Sequence, residues 1–178
     1  MARARYVILH KENVFARFSP WSWYGIALVV LLLDQWSKTS AANAIVYGHT
    51  DVVTSFFNLT MRYNHGVAFS ILDDAEGSQR WYLAALAFVI SVVIAVWIVR
   101  TGKKNVLEAA GLALILGGAL GNLYDRVVLG YVIDFIEVHY QGYYWPAFNI
   151  ADAGVCVGAG LLLFDGFFSS RTKEKKAD

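Results

Sequence analysis

Charge is what this chain has least of. Only 16% of its 178 residues are charged and 57% are hydrophobic, where soluble domains run near a quarter charged and about 45–50% apolar. That balance excludes an ordinary solvated surface. The net charge of +1 excludes a strongly basic face, so no nucleic acid is expected as a partner. Cysteine is nearly missing as well: Cys156 stands alone in an apolar run, which excludes an internal disulfide. No grouping of cysteine and histidine has metal-ligand spacing, so neither a metal nor any other cofactor is expected. Thiol and serine reagents are expected to have little effect, since Cys156 sits on an apolar helix face. Internal repeats and low-complexity segments are absent, and only the last eight residues read as a disordered tail. The length suits one domain spanning 1–178.

What is present is long apolar runs. A bilayer core of roughly 30 Å takes about 20 mostly apolar residues of helix. Four runs approach that length: Trp21 to Ser40, Trp81 to Val99, Val106 to Arg126 and Phe148 to Phe168. Trp21, Trp23, Trp81, Trp97 and Trp145 stand at or near their ends, where amphipathic rings favour the headgroup layer. The expected fold is a mainly α membrane protein, a bundle of four transmembrane helices.

Basic residues orient the bundle. Arg3, Arg5, Lys11 and Arg17 precede the first run, Arg100, Lys103 and Lys104 separate the second from the third, and Arg171, Lys173, Lys175 and Lys176 follow the fourth. The remaining loops are poor in Lys and Arg. Residues 1–20 and 169–178 are therefore expected in the cytoplasm, and 41–80 and 127–147 outside it. Ala42-Asn43-Ala44 after an apolar run also imitates a cleavable signal peptide. Asp34 and Lys38 interrupt that run well before the site, so the first span is expected to be retained.

Outside the spans, Val52-Val53, Phe56-Phe57, Leu59, Met61 and Tyr63 predict strand over 51–72, with Asn64-His65-Gly66 as a turn before Val67-Ala68-Phe69-Ser70-Ile71. Residues 131–138 are β-branched and aromatic and are expected to join the same small outer sheet.

Ionisable groups within a bilayer are costly and mark sites. At about 1.5 Å per helical residue, Asp34 falls about 20 Å and Asn122 about 24 Å from the inner face, while Asp152 enters about 6 Å from the outer one. Independent helices thus bring polar groups to one level, which predicts a site opening outward. Structural alternatives exist for several. Asp34 and Lys38, spaced i, i+4, can pair along one helix face. Asp125 and Arg126 can form an ion pair or cap, and Asp165 reads as interfacial. Asn64 suits a turn without any function, though Asn58 and Asn64 can also hydrogen-bond an extended peptide. Asp134 and Asp152 are harder to dismiss. Asp134 interrupts Val132-Ile133 and Phe135-Ile136, a setting that desolvates a carboxylate and raises its pKa. Asp152 has Asn149 one turn before it and no basic residue within reach along its helix. Two such acids can share a proton as an aspartic dyad does. Asp125 with Asp152 is the competing pair.

The motifs then resemble those of one family. Asp34-Gln35-Trp36-Ser37-Lys38 is similar to D-Q-x-S-K, Tyr63-Asn64-His65-Gly66-Val67-Ala68-Phe69 to an N-x-G-x-A-F loop, and Gly117 through Arg126 to G-G-A-x-G-N-x-x-D-R. Val132-Ile133-Asp134-Phe135 and Phe148-Asn149-Ile150-Ala151-Asp152 are similar to V-x-D-F and F-N-x-A-D. Five motifs in order resemble the lipoprotein signal peptidases (signal peptidase II). The resemblance implies an aspartic endopeptidase that cuts prolipoproteins just before a diacylglyceryl-modified cysteine, in the bacterial inner membrane near its periplasmic face. It implies Asp134 and Asp152 as the catalytic pair, with Asp34, Lys38, Asn64, Asn122, Asp125, Arg126, Asn149 and Ala151 around them. It further implies a β-cradle and flap over 51–80, membrane lipids as partners, and inhibition by globomycin-type cyclic peptides. A small proton-coupled transporter built on intramembrane carboxylates is the alternative. Against it stand the few spans and the absence of an inverted repeat.

Overall fold

The computed structural model describes residues 19–66, 78–101 and 105–174, with side chains up to Phe167. Its helices are α1 (Pro20–Ala44), α2 (Gln79–Thr101), α3 (Val106–Val128) and α4 (Ile150–Glu174); its strands are β1 (Thr50–Val52), β2 (Phe57–Asn64), β3 (Val132–Tyr140) and β4 (Tyr143–Tyr144). Among the described residues, three helical segments are long and apolar enough to cross a membrane: Gln79–Thr101, Val106–Val128 and Ile150–Phe167. At 25 residues α1 is longer than any of these segments. Asp34, Gln35, Lys38, Thr39, Ser40 and Asn43 dilute its second half, so apolarity alone does not place it with the other three. α4 continues to Glu174, into the tail expected to be disordered. No glycine or proline intervenes after Gly166 to stop it.

Local signals start and stop these helices. Pro20 occupies the first turn of α1, where its missing N–H costs nothing. The Asn105 side chain accepts from the Glu108 N–H at the start of α3. At its other end the Asp125 carbonyl accepts from the N–H groups of Leu129 and Gly130, and Gly130 takes the positive φ of +89° that suits glycine after a helix.

α3 packs against all three other helices. Its Ala109, Leu112, Ala113 and Leu116 bury against Trp23 and Ala27 of α1 and Ile94 and Ile98 of α2. The opposite arrangement holds on the outside of α2, where Phe88, Val89, Val92, Val93 and Val96 are exposed, the surface a lipid-facing helix presents. Small residues bring α3 and α4 together. A Cβ on Gly111 would stand 2.8 Å from the Gly158 carbonyl oxygen, and one on Gly158 would stand 2.5 Å from that of Gly111. Gly158→Leu is therefore expected to separate the two helices and cost about 1–3 kcal/mol, read as a lower melting temperature in detergent. Gly160→Leu serves as the control, since a Cβ there meets nothing within 4 Å.

The strands form one antiparallel sheet in the order β1-β2-β3-β4. Strand formation over 131–138 and its pairing with the earlier segment follow the β-branched and aromatic composition of that stretch. The earlier segment itself breaks into two strands, and its expected continuation over 67–71 lies outside the described residues. Ala41, Ile45, Met61, Ile133 and Phe135 form a second core where the sheet meets the end of α1. A register shift in β2 between Leu59 and Arg62 places Arg62 opposite Asp134 and Asn64 opposite Val132.

Candidate functional site

The site is assembled around the start of α4. Asn149 precedes that helix and Asp152 lies three residues on, the spacing of a capping box. The Asp152 N–H donates to Asn149 Oδ1 at 2.9 Å, and the Asn149 N–H donates to Asp152 Oδ2 at 3.3 Å. The next free N–H in the turn, that of Ala151, donates to Asp34 Oδ1 at 2.9 Å. A carboxylate from α1 thus caps α4.

Asn149 also reaches the sheet. Its Nδ2 donates to Asp134 Oδ1 at 2.7 Å and to the Ile133 carbonyl at 3.2 Å. Asp134 Oδ2 accepts from Asn64 Nδ2 at 3.1 Å. A single residue therefore bonds to the carboxylates of both Asp134 and Asp152. Burial pushes the Asp134 carboxyl up to about 7, with the charge of Asp152 adding to the effect; the hydrogen bonds from Asn64 and Asn149 and the charge of Lys38 oppose it.

Behind this pair lies a buried ionic cluster. Lys38 Nζ is 2.7 Å from Asp34 Oδ2, 2.8 Å from Asp125 Oδ2 and 2.9 Å from Asn122 Oδ1. Exposures of 1% for Lys38, 0% for Asp34 and 1% for Asp125 leave the cluster inaccessible to water. Asn122 Nδ2 passes the connection forward, donating to Asp152 Oδ1 at 2.8 Å. Gln35 Nε2 ties the two carboxylates, donating to Asp125 Oδ1 at 2.9 Å and Asp34 Oδ2 at 3.2 Å. Close packing permits this: a Cβ on Gly121 would stand 2.5 Å from Asp34 Oδ2.

The two front carboxylates line a cavity of about 1000 Å³. Leu83, Leu86, Ala87 and Ile90 of α2, Ile115 and Ala119 of α3 and Val155 of α4 make its wall apolar; Arg62, Asn64, Asn122, Arg126, Asp134 and Asp152 make one part of it polar.

The ten residues that the resemblance assigns to the site all fall into this region, with several different partners. Asp34 and Lys38 do pair along their helix. Asp125 pairs with Lys38 and not with its neighbour Arg126, whose guanidinium donates to the carbonyls of Asn122 and Gly66, each at 3.2 Å. A following residue on a helix points about 100° away, whereas α1 packs directly against the Asp125 face. Asn58 is held by Glu137 at 2.8 Å and His139 at 3.3 Å, so its amide is engaged within the sheet. Cys156 lines the cavity one turn beyond Asp152, because the apolar face it occupies is the cavity wall; bulky thiol reagents would enter that space. Gln35 received no role from the sequence, although it stands within the first motif. Asp125 and Lys38 lie 87 positions apart, and only the fold brings them together.

The comparisons with known proteins agree with one another. The family model described as signal peptidase (SPase) II matches residues 26–168. The lipoprotein signal peptidase of Teredinibacter turnerae is 53% identical over 163 residues, 92% of this chain and 95% of that one. That of Cellvibrio japonicus is 54% identical over 149 residues, covering 84% and 88%. A solved structure of a bacterial membrane enzyme matches with a TM-score of 0.77 and 29% identity, covering 85% of this chain and 91% of that one. With three apolar helices of spanning length, this is a multi-pass membrane protein, and the chain belongs to the signal peptidase II family.

Proposed function

We propose that Asp134 and Asp152 act as one aspartic pair that hydrolyses the peptide bond just before the diacylglyceryl-modified cysteine of prolipoproteins. Family membership makes the chain a peptidase that removes signal peptides from lipoproteins; the proposal concerns which residues do so and where. The observation that supports it most is the shared Asn149, which bonds both carboxylates at the polar part of an apolar cavity.

Peptide hydrolysis by such a pair needs one carboxylate to take a proton from water while the other, protonated, polarises the carbonyl. Asp152, at the first turn of α4, is the base. Asp134, in the drier position, is the acid. Asn122 and Asn64 flank the pair and stand ready to hold it or to donate to the developing oxyanion. The apolar wall receives the signal helix and acyl chains, and a globomycin-type cyclic peptide would compete for the same space. Nothing in this chemistry crosses the bilayer, and family membership favours hydrolysis over proton-coupled transport.

Release of free signal peptide from a lipidated prolipoprotein, but not from the unlipidated one, tests the function. Release should persist in EDTA. No release by well-folded enzyme would overturn the reading. Its pH dependence follows from Asp134. The folded protein holds a proton that the unfolded chain gives up near 3.8, so turnover is expected to fall as pH rises through about 7. The limb belongs to the coupled pair and not to one residue. Turnover of the unaltered enzyme that does not fall as pH rises through about 7 would contradict the assignment.

We place the enzyme in the bacterial inner membrane with four spans, α1 included. The supporting observation is that the buried carboxylates of α1 and α3 share Lys38, so α1 lies alongside α3 at the same depth. Both termini then face the cytoplasm, and the sheet lies over the outer surface. A cysteine placed near Gln141 should be labelled by an impermeant reagent from outside, and one near Lys103 only after permeabilisation. Outside labelling at Lys103 would reverse the orientation.

A further inference from the structure

We propose that Lys38 is a positioning residue for hydrolysis: its ammonium fixes the Asn122 amide so that Nδ2 donates to Asp152, and it acts on the reacting pair through that amide. The proposal rests on the pairing of Asp134 with Asp152 put forward above.

An asparagine amide has two orientations of nearly equal shape, and its surroundings must choose between them. Lys38 Nζ only donates. Its three hydrogens have three acceptors: Asp34 Oδ2 at 2.7 Å, Asp125 Oδ2 at 2.8 Å and Asn122 Oδ1 at 2.9 Å. The third forces the carbonyl of Asn122 toward α1, which turns Nδ2 toward Asp152 Oδ1 at 2.8 Å. The reversed amide would set its NH2 group against the ammonium and its oxygen against the carboxylate, two repulsions in a buried place. Asn149 is a weak alternative director. Its Nδ2 reaches Asn122 Oδ1 only at 3.4 Å and is already given to Asp134 and the Ile133 carbonyl.

A counterion alone would need only the two carboxylates. The third bond leads out of the ionic cluster into the site. Among the described residues, the charged groups of this cluster and site are Lys38 and Asp34 from α1, Asp125 and Arg126 from α3, Asp134 from β3 and Asp152 from α4. Among these Lys38 is the one that bonds to the Asn122 side chain oxygen.

The test removes Lys38 without leaving a surplus carboxylate. Lys38→Met combined with Asp125→Asn is compared with Asp125→Asn alone, using single-turnover cleavage of lipidated substrate across pH. Relative to that reference, kcat should fall about tenfold to hundredfold, the worth of one hydrogen bond to a charged group. KM should hold, and the acid limb of the pH profile should move to higher pH. Asn122→Ala in otherwise unaltered protein should reproduce the kcat loss and the limb shift. Added to the double variant, it should cost little more, because both changes cut one connection. A folded double variant with the kcat and pH profile of its reference overturns the proposal and leaves Lys38 a counterion. Should the double variant not fold, Asn122→Ala decides: normal turnover and pH profile there overturn it equally. Retained turnover in Asp134→Asn or Asp152→Asn would instead remove the pairing itself, whatever Lys38 does.

Discussion

Asp134→Asn and Asp152→Asn are each expected to abolish signal peptide release, by at least about 10⁴-fold, while the protein still inserts and binds substrate. The amide keeps the shape of the carboxylate and removes its ionisation. At position 152 it still offers an oxygen to the Asn149 N–H or to Asn122 Nδ2, so α4 keeps most of its cap. At position 134 two donors converge, from Asn64 and Asn149, and an amide satisfies one of them; the cost is one hydrogen bond near the cavity. The double variant should be hardly worse than either single one, since groups acting as one unit do not add. Single-turnover cleavage normalised to folded protein makes the measurement, with Asp125→Asn alongside. Near-normal turnover in Asp134→Asn, together with none in well-folded Asp125→Asn, would make Asp125 the partner of Asp152.

The structure bears on that competitor because it shows where Asp125 is committed. Its two oxygens are taken by Lys38 and Gln35 behind the site, and it does not line the cavity that Asp134 and Asp152 share. Sequence alone left both pairs open because hydropathy and helical rise report depth along a helix and not azimuth around it. Depth was enough to bring Asp34, Asn122 and Asp152 to one level, and they are indeed joined through Lys38 and Ala151. Azimuth decided the Asp125–Lys38 pair, which crosses from one helix to another, and the involvement of Gln35. The Asn149–Asp152 capping box is a local pattern, yet the sequence places Asn149 inside the fourth apolar run and assigns it no capping role. Alternation predicted β2 and β-branched, aromatic composition predicted β3, while the register shift that places Arg62 opposite Asp134 has no simple signature in the sequence. The proposed spanning of α1 is the converse case. Its polar residues lower its hydropathy, yet they are the groups that pair with α3 and cap α4, so function and apolarity compete for the same positions.

Lys38→Met alone is expected to cost most of the folded protein. The substitution keeps an unbranched side chain of similar length and removes the charge, leaving Asp34 and Asp125 at 0% and 1% exposure without their shared ammonium. Breaking a buried ion pair by removing one partner costs about 3–5 kcal/mol, against a whole stability of about 5–15 kcal/mol. Three elements depend on those carboxylates. Asp34 also caps α4 at Ala151, and Asp125 accepts from Gln35 of α1 and, more distantly, from the Ile133 N–H at the start of β3. Repulsion between the two acids therefore pulls on α1, α3, α4 and the sheet together. Adding Asp125→Asn removes one of the repelling charges while an amide keeps a hydrogen-bonding group at that place, so the double variant should recover yield and thermal stability relative to Lys38→Met. Monodisperse protein in detergent and its melting temperature are the readouts, taken for both single variants and the double. If Lys38→Met accumulates and melts like the unaltered protein, the ammonium is not what holds two buried carboxylates side by side. The attachment of α1 to α3 would then have to come from Trp23 and Ala27 packed on Leu112 and Leu116, with the polar half of α1 contributing little.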